Sequence, residues 1–197
     1  MKTIYSIAVT LLIVSFISCT RPAETITDKY KKELSTTADE FQNNLKSVLV
    51  KELQSNGVIS ALSVCSDTAQ LLTKSIADSR QVEIKRISFK NRNSLNKPDS
   101  YEEKVLKKFE SLFNAGKLPD STIHIELLSE GRKQFVRFLK PIYVQPPCLV
   151  CHGDDNHVSP ETAEKINSIY RDDKARNYKT GDLRGAISIK KFLSSIN

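Results

Sequence analysis

At 197 residues the chain suits one domain with an N-terminal extension rather than several domains. Thirty Lys and Arg against 23 Asp and Glu give a net charge of +7. The charges are mixed along the chain, with no aromatic-interleaved basic stripe and no nucleic-acid motif. This excludes a DNA- or RNA-binding reading and leaves a solvated surface with some attraction for acidic partners or anionic headgroups.

The N-terminus, "MKTIYSIAVTLLIVSFISCT", carries Lys2, an apolar run from Ile7 to Ile17, then Ser18-Cys19. This pattern predicts a signal peptide over 1–18 and hence an exported chain. The run is too short for a transmembrane helix. A cysteine closing the run after a small residue matches bacterial lipoproteins, so Cys19 is the expected lipidation site, although Phe16 and Ile17 depart from the common Leu-small-small pattern. Several acyl chains would anchor the protein stably to the periplasmic side of a membrane, with residues 19–25 as a tether. Loss of Lys2 leaves 29 basic against 23 acidic residues, or +6.

Residues 26–197 are read as the single folded domain. Ile26, Tyr30, Leu34, Phe41, Leu45, Val48, Leu49 and Leu53 recur at helical spacing, with Gly57 as the expected C-cap. This long N-terminal helix is also a candidate homodimer contact. Val58, Leu62, Cys65, Ala69, Leu72 and Ile76 form the stripe of a second amphipathic helix, with Cys65 in the middle of it. "VEIKRISF" (82–89) predicts a strand, and "KNRNSLNKPDS" a polar loop. Asp99 and Glu102 have the spacing of a capping box, opening a helix that stops near Gly116. "TIHIELL" and "QFVRFLKPIYV" predict a hairpin joined by "SEGR". Ser159-Pro160 starts a helix reaching about Asp172, and "LRGAISIKK" is a last strand over 183–190. The fold class is α+β, an antiparallel sheet with flanking helices.

Directly after the second hairpin strand comes "PPCLVCHGDD". Cys148-x-x-Cys151-His152 is the attachment motif of c-type haem: two thiols match the two vinyl groups, and the next residue offers its imidazole to the iron. Covalent haem is attached outside the cytoplasm, so the export signal and the motif support each other. A structural zinc site would need two more ligands, and no second CxxC pair exists among Cys65, His124, His152 and His157. A thioredoxin-like pair usually opens a helix in a βαβ unit, whereas this one follows a strand and two prolines.

The second axial position decides the chemistry. The only methionine is Met1, which leaves with the signal peptide, so a His/Met centre is excluded. His124, His157, Cys65 or no strong protein ligand remain. His157 lies five residues beyond His152 and reads as a solvated loop histidine. His124 reads as a solvent-facing strand residue. Cys65 reads either as a small buried hydrophobe or as a soft ligand. Arg86, Arg92 and Lys140 are candidate propionate contacts, each weighed against plain surface charge.

"SVCSDTAQ", "RISFKNRNSLNKPDSYE", "QFVRFLKPIYVQPPCLVCHG" and "YKTGDLRGAISI", in this order, resemble a bacterial haem-binding family of the Tll type. It is typified by a cyanobacterial c-type haem protein with a PAS-like fold. The resemblance covers about residues 58–190. It implies one covalent haem c on Cys148 and Cys151, with His152 and Cys65 as the axial pair. Tyr101 stands where the family commonly has tryptophan, which touches packing and not the ligands. Thiolate ligation implies a low potential and a bond that weakens on reduction. The functions that follow are a haem-based redox or gas sensor with switchable ligation, working through a separate redox or signalling partner, or a lipid-anchored electron carrier. An enzyme is the weakest reading, because no acid/base constellation accompanies the motif.

Overall fold

The computed structural model describes residues 26–193; the leader, Cys19 and the tether lie outside the described residues. Helix α1 (Ile26–Ser63) is followed by a π-helical turn (Val64–Thr68) and α2 (Ala69–Arg80). Strand β1 (Glu83–Ile87), α3 (Ser100–Asn114) and the hairpin β2 (His124–Glu130) and β3 (Lys133–Tyr143) come next. The one-turn helix α4 (Leu149–His152), α5 (Pro160–Ile169) and β4 (Leu183–Phe192) complete the chain. The protein is α+β, with a four-stranded sheet in the order β1-β4-β3-β2 and every neighbouring pair antiparallel.

Alternation along the strands sorts the sheet into two faces. Val136, Phe138, Ile187 and Ile189 point to one face, where Leu34, Ala38, Phe41 and Leu45 of α1 and Ile76 of α2 cover them. The α1 residues fall at intervals of 4, 3 and 4, so one helical stripe is buried against the sheet. Ile87, Leu139 and Ala186 point to the other face, beneath Val105, Leu106 and Phe109 of α3. That second face also holds a buried charge. Glu102, 1% exposed, binds Lys85 at 2.8 Å, Arg137 at 3.0 Å and the Ser188 hydroxyl at 2.7 Å. Paired on all sides, its carboxylate is tolerated in the interior.

Helix α3 begins as the sequence predicts. The Asp99 side chain accepts from the Glu102 backbone N–H at 2.8 Å, and Glu102 Oε2 accepts from the Asp99 N–H at 2.8 Å. The predicted end of the first helix at Gly57 is different. Gly57 has φ 82° and ψ −179°, so it breaks the helix, but the chain re-enters helix at once. Glu52 bridges the break by accepting from Asn56 Nδ2 at 2.8 Å and Ser60 Oγ at 2.5 Å. The helix expected to reach Asp172 ends at Ile169, and the last strand runs two residues further than expected, to Phe192. No helix among the described residues is long and apolar enough to cross a membrane.

Candidate functional site

Strand β3 ends at Tyr143, and Val144 is tied to the start of β4 by its N–H to Asp182 O at 2.9 Å. Pro146 and Pro147 then force a tight turn, Pro146–Cys148, which runs straight into α4. Cys148 already has helical dihedrals, so Cys148 and Cys151 stand at i and i+3 on one face of a single turn. His152 is the last residue of that turn.

The His152 imidazole is held in one tautomer. Its Nδ1 lies 2.8 Å from the Ala175 carbonyl oxygen, which can only accept, so Nδ1 carries the proton and Nε2 keeps its lone pair. The Tyr178 ring meets the imidazole edge-on at 6.4 Å, and the Tyr178 N–H donates to the His152 carbonyl at 3.0 Å. Burial, and then the cations Arg184 and Arg92, push the His152 pKa well below the usual histidine range. The ring is therefore neutral and available as a ligand. Burial likewise raises the Cys151 thiol to about 11, with Cys65 nearby adding to the effect.

Cys65 reaches the motif from a distant stretch of the chain. It sits in the π-helical turn, where the Ala69 N–H reaches back to Val64 O instead of the usual fourth residue. Such turns widen a helix locally and re-aim a side chain. Leu62 and Ala69 on the same stripe are buried, while Cys65 is half-buried and opens onto a cavity.

Cys65, Cys148, Cys151 and His152 all line that cavity, about 180 Å3 in volume, and Cys65 and Cys148 also line an adjoining one of about 140 Å3. Apolar walls come from Leu49 and Leu53 of α1 and Ile142 of β3. Among the described residues no three His, Cys, Asp or Glu side chains converge tightly enough to hold a bare metal ion. The sulfur and nitrogen donors surround a space instead of meeting at a point.

Arg86, Arg92 and Arg184 line the same cavity. Arg92 is 8% exposed and its Nη1 is buried without a hydrogen-bond partner among the described residues. An orphaned guanidinium nitrogen asks for an acceptor; Arg92 is paired with Asp173, but no described Asp or Glu lines the cavity to meet Arg86 and Arg184, which ask for anionic charge. An apolar, flat macrocycle bearing two carboxylates meets both demands, so the residues present fit haem.

Lys140 does not belong to this set. It shares the α1 face of the sheet with Phe138 and forms an ion pair with Asp39 of α1, outside both cavities. Sequence reasoning names it as a loop cation and misses Arg184, whose signal is only a charge at the start of a strand. His124 and His157 lie away from the cavity. His124 Nε2 is 2.9 Å from the Tyr101 hydroxyl, which donates to Glu126 at 2.9 Å, and His157 Nδ1 is 2.7 Å from Asp154 in an exposed loop.

No curated protein matches the chain. The crystal structure of the cyanobacterial heme-protein Tll0287 is similar in fold, with a TM-score of 0.64 and 20% identity over 86% of this chain and 98% of that one. A family model described as Tll0287-like matches residues 20–191, nearly the whole of the described chain and more than the span of the four motifs. The chain belongs to the Tll0287-like family.

Proposed function

We propose that this protein is an exported monohaem c-type protein of the periplasm, anchored through Cys19, that senses redox state or a small gas by exchanging one axial ligand. Cys148 and Cys151 would form the thioether links, and His152 and Cys65 would ligate the iron. The observation that carries the reading is the convergence of those four residues on one apolar cavity with three arginines. The heme content of the Tll0287 relative supports it.

When bound, haem supplies a one-electron couple and a site for a diatomic ligand. The chain's residues divide that work unequally. His152 is fixed by Ala175 and Tyr178, and its segment would be covalently tied to the haem. Cys65, eight residues beyond the Gly57 break, sits in a π-helical turn. This asymmetry favours release on the cysteine side. Arg86 and Arg184, with the unpaired Nη1 of Arg92, would orient the propionates and neutralise them.

Expression with c-type maturation machinery, followed by acid–acetone extraction, tests the attachment. The pigment is expected to stay with the protein, and to be lost from Cys148→Ser/Cys151→Ser. Absorption and resonance spectra of ferric, ferrous and CO-treated protein test the rest. Thiolate signatures in the ferric state, lost on reduction or CO binding, are the expected result. Both ligands kept in both states would instead identify an electron carrier. Cys65→Ala is expected to keep covalent haem and lose the thiolate signature; a change confined to His124→Ala would displace Cys65 from the site.

A further inference from the structure

Both backbone polar groups of Ala175 are held. Its carbonyl, the acceptor of the His152 Nδ1–H, also receives Arg92 Nη2 at 3.3 Å. Its N–H donates to Asp173 Oδ1 at 2.9 Å. Arg92 and Asp173 are themselves paired through two contacts of 3.1 Å, Nε to Oδ1 and Nη2 to Oδ2, with side chains 7% and 4% exposed. Arg92 Nη2 further donates to the Cys151 carbonyl at 2.6 Å. One buried ion pair therefore touches both the residue that would bear a thioether and the acceptor that orients the axial imidazole.

Building on the haem reading above, we infer that Arg92 and Asp173 are positioning residues that set the reduction potential in opposite directions, acting through the Ala175 peptide on His152. A carbonyl accepting from Nδ1–H pulls that proton and makes the imidazole a stronger donor to ferric iron. Arg92 draws on the same carbonyl and weakens this effect. Its charge also disfavours the ferric state, which carries one more positive charge than the ferrous. Both contributions raise the potential and offset the anionic Cys65. Asp173 acts in the reverse sense, by neutralising Arg92 and by placing a carboxylate beside the Ala175 backbone. At low exposure these charges are poorly screened. Breaking a buried pair leaves the survivor uncompensated, which enlarges each single effect.

Spectroelectrochemical titration of the haem-loaded wild type, Arg92→Gln, Asp173→Asn, Arg92→Lys and Arg92→Gln/Asp173→Asn tests this. Arg92→Gln is expected to shift the ferric-to-ferrous ratio at fixed ambient potential about tenfold toward ferric, equal to about 59 mV. Asp173→Asn keeps an oxygen for the Ala175 N–H and is expected to shift the ratio several-fold toward ferrous. Arg92→Lys, retaining charge without the fork, falls between Arg92→Gln and wild type, and the double variant returns close to wild type. A purely structural brace would move both single variants in the same direction; that result, or no movement in either, overturns the inference. If Arg92→Gln does not accumulate with haem, Asp173→Asn alone decides by the sign of its shift. A wild type that holds no covalent haem removes the underlying reading as well, whereas a haem-loaded wild type with unresponsive variants removes this inference only.

Discussion

A Cβ placed on Gly153 would lie 2.6 Å from His157 Cβ and 2.7 Å from the Leu149 carbonyl oxygen. The backbone at this point closes α4, with the Gly153 N–H donating to Leu149 O at 2.8 Å. Gly153→Ala is therefore expected to displace the end of the CxxCH turn and cost about 1–3 kcal/mol. A fall in the midpoint of chemical denaturation, together with a lower yield of haem-loaded protein, would show it. Lys140→Ala makes the contrasting case. Its partner is Asp39, so a small stability change of at most about 1 kcal/mol is expected, with the haem spectrum and potential unchanged. The residues legible in the sequence are those whose chemistry is local. Cys148, Cys151 and His152 share one helical turn, and their spacing alone carries the motif. Arg184, Ala175 and Tyr178 are brought to His152 by tertiary contacts across more than 20 residues, and no short pattern encodes that.

Among the elements, α1 and α3 show what periodicity can and cannot say. The stripe Leu34, Ala38, Phe41, Leu45 is readable because a single face is buried. The π-helical turn is not, because the intervals around Cys65 continue the helical count unbroken and the extra residue is absorbed by backbone hydrogen bonding. Gly57 has the sequence signature of a terminus, whereas it is a break inside a continuing path. Its dihedrals lie in a region essentially reserved for glycine, and a Cβ there would meet no atom within 4 Å. Gly57→Ala is therefore expected to cost about 1–3 kcal/mol from backbone strain alone, measurable by urea denaturation. The α3 cap behaves differently with pH. Burial would raise the Asp99 carboxyl, but the Glu102 backbone N–H and the Arg137 guanidinium outweigh it and hold the pKa below the usual carboxylate value. The stabilisation is thus present above the unfolded pKa, about 3.9, and is lost as pH falls through the folded value. Asp99→Ala is expected to cost about 1–2 kcal/mol at neutral pH. The gap between mutant and wild type should narrow below about pH 4 in acid denaturation.

At the scale of the whole molecule, the class and the order of elements are legible because each element announces itself through its own spacing and end signals. The strand order is not. β4, last in the chain, lies between β1 and β3, and its pairing with β1 joins segments about 100 residues apart. The cavity depends on it, since Arg86 of β1 and Arg184 of β4 come together only through this arrangement. That Cys65 and His152 line one cavity from separate elements has a further consequence. With both as ligands, the haem closes a loop between positions 65 and 152 and acts as a removable cross-link from the helical layer to the motif. A permanent tie across a loop of this size restricts the unfolded chain by roughly 4–5 kcal/mol in a chain-entropy account. A tie whose strength follows the iron's oxidation state makes folding free energy and reduction potential two readings of one quantity. Ferric protein should then resist guanidinium better than ferrous protein, with the difference abolished in Cys65→Ala. An oxidant arriving at the iron would be felt as a tightening of the helical layer against the rest of the fold, a mechanical signal that a neighbouring protein could detect without taking an electron.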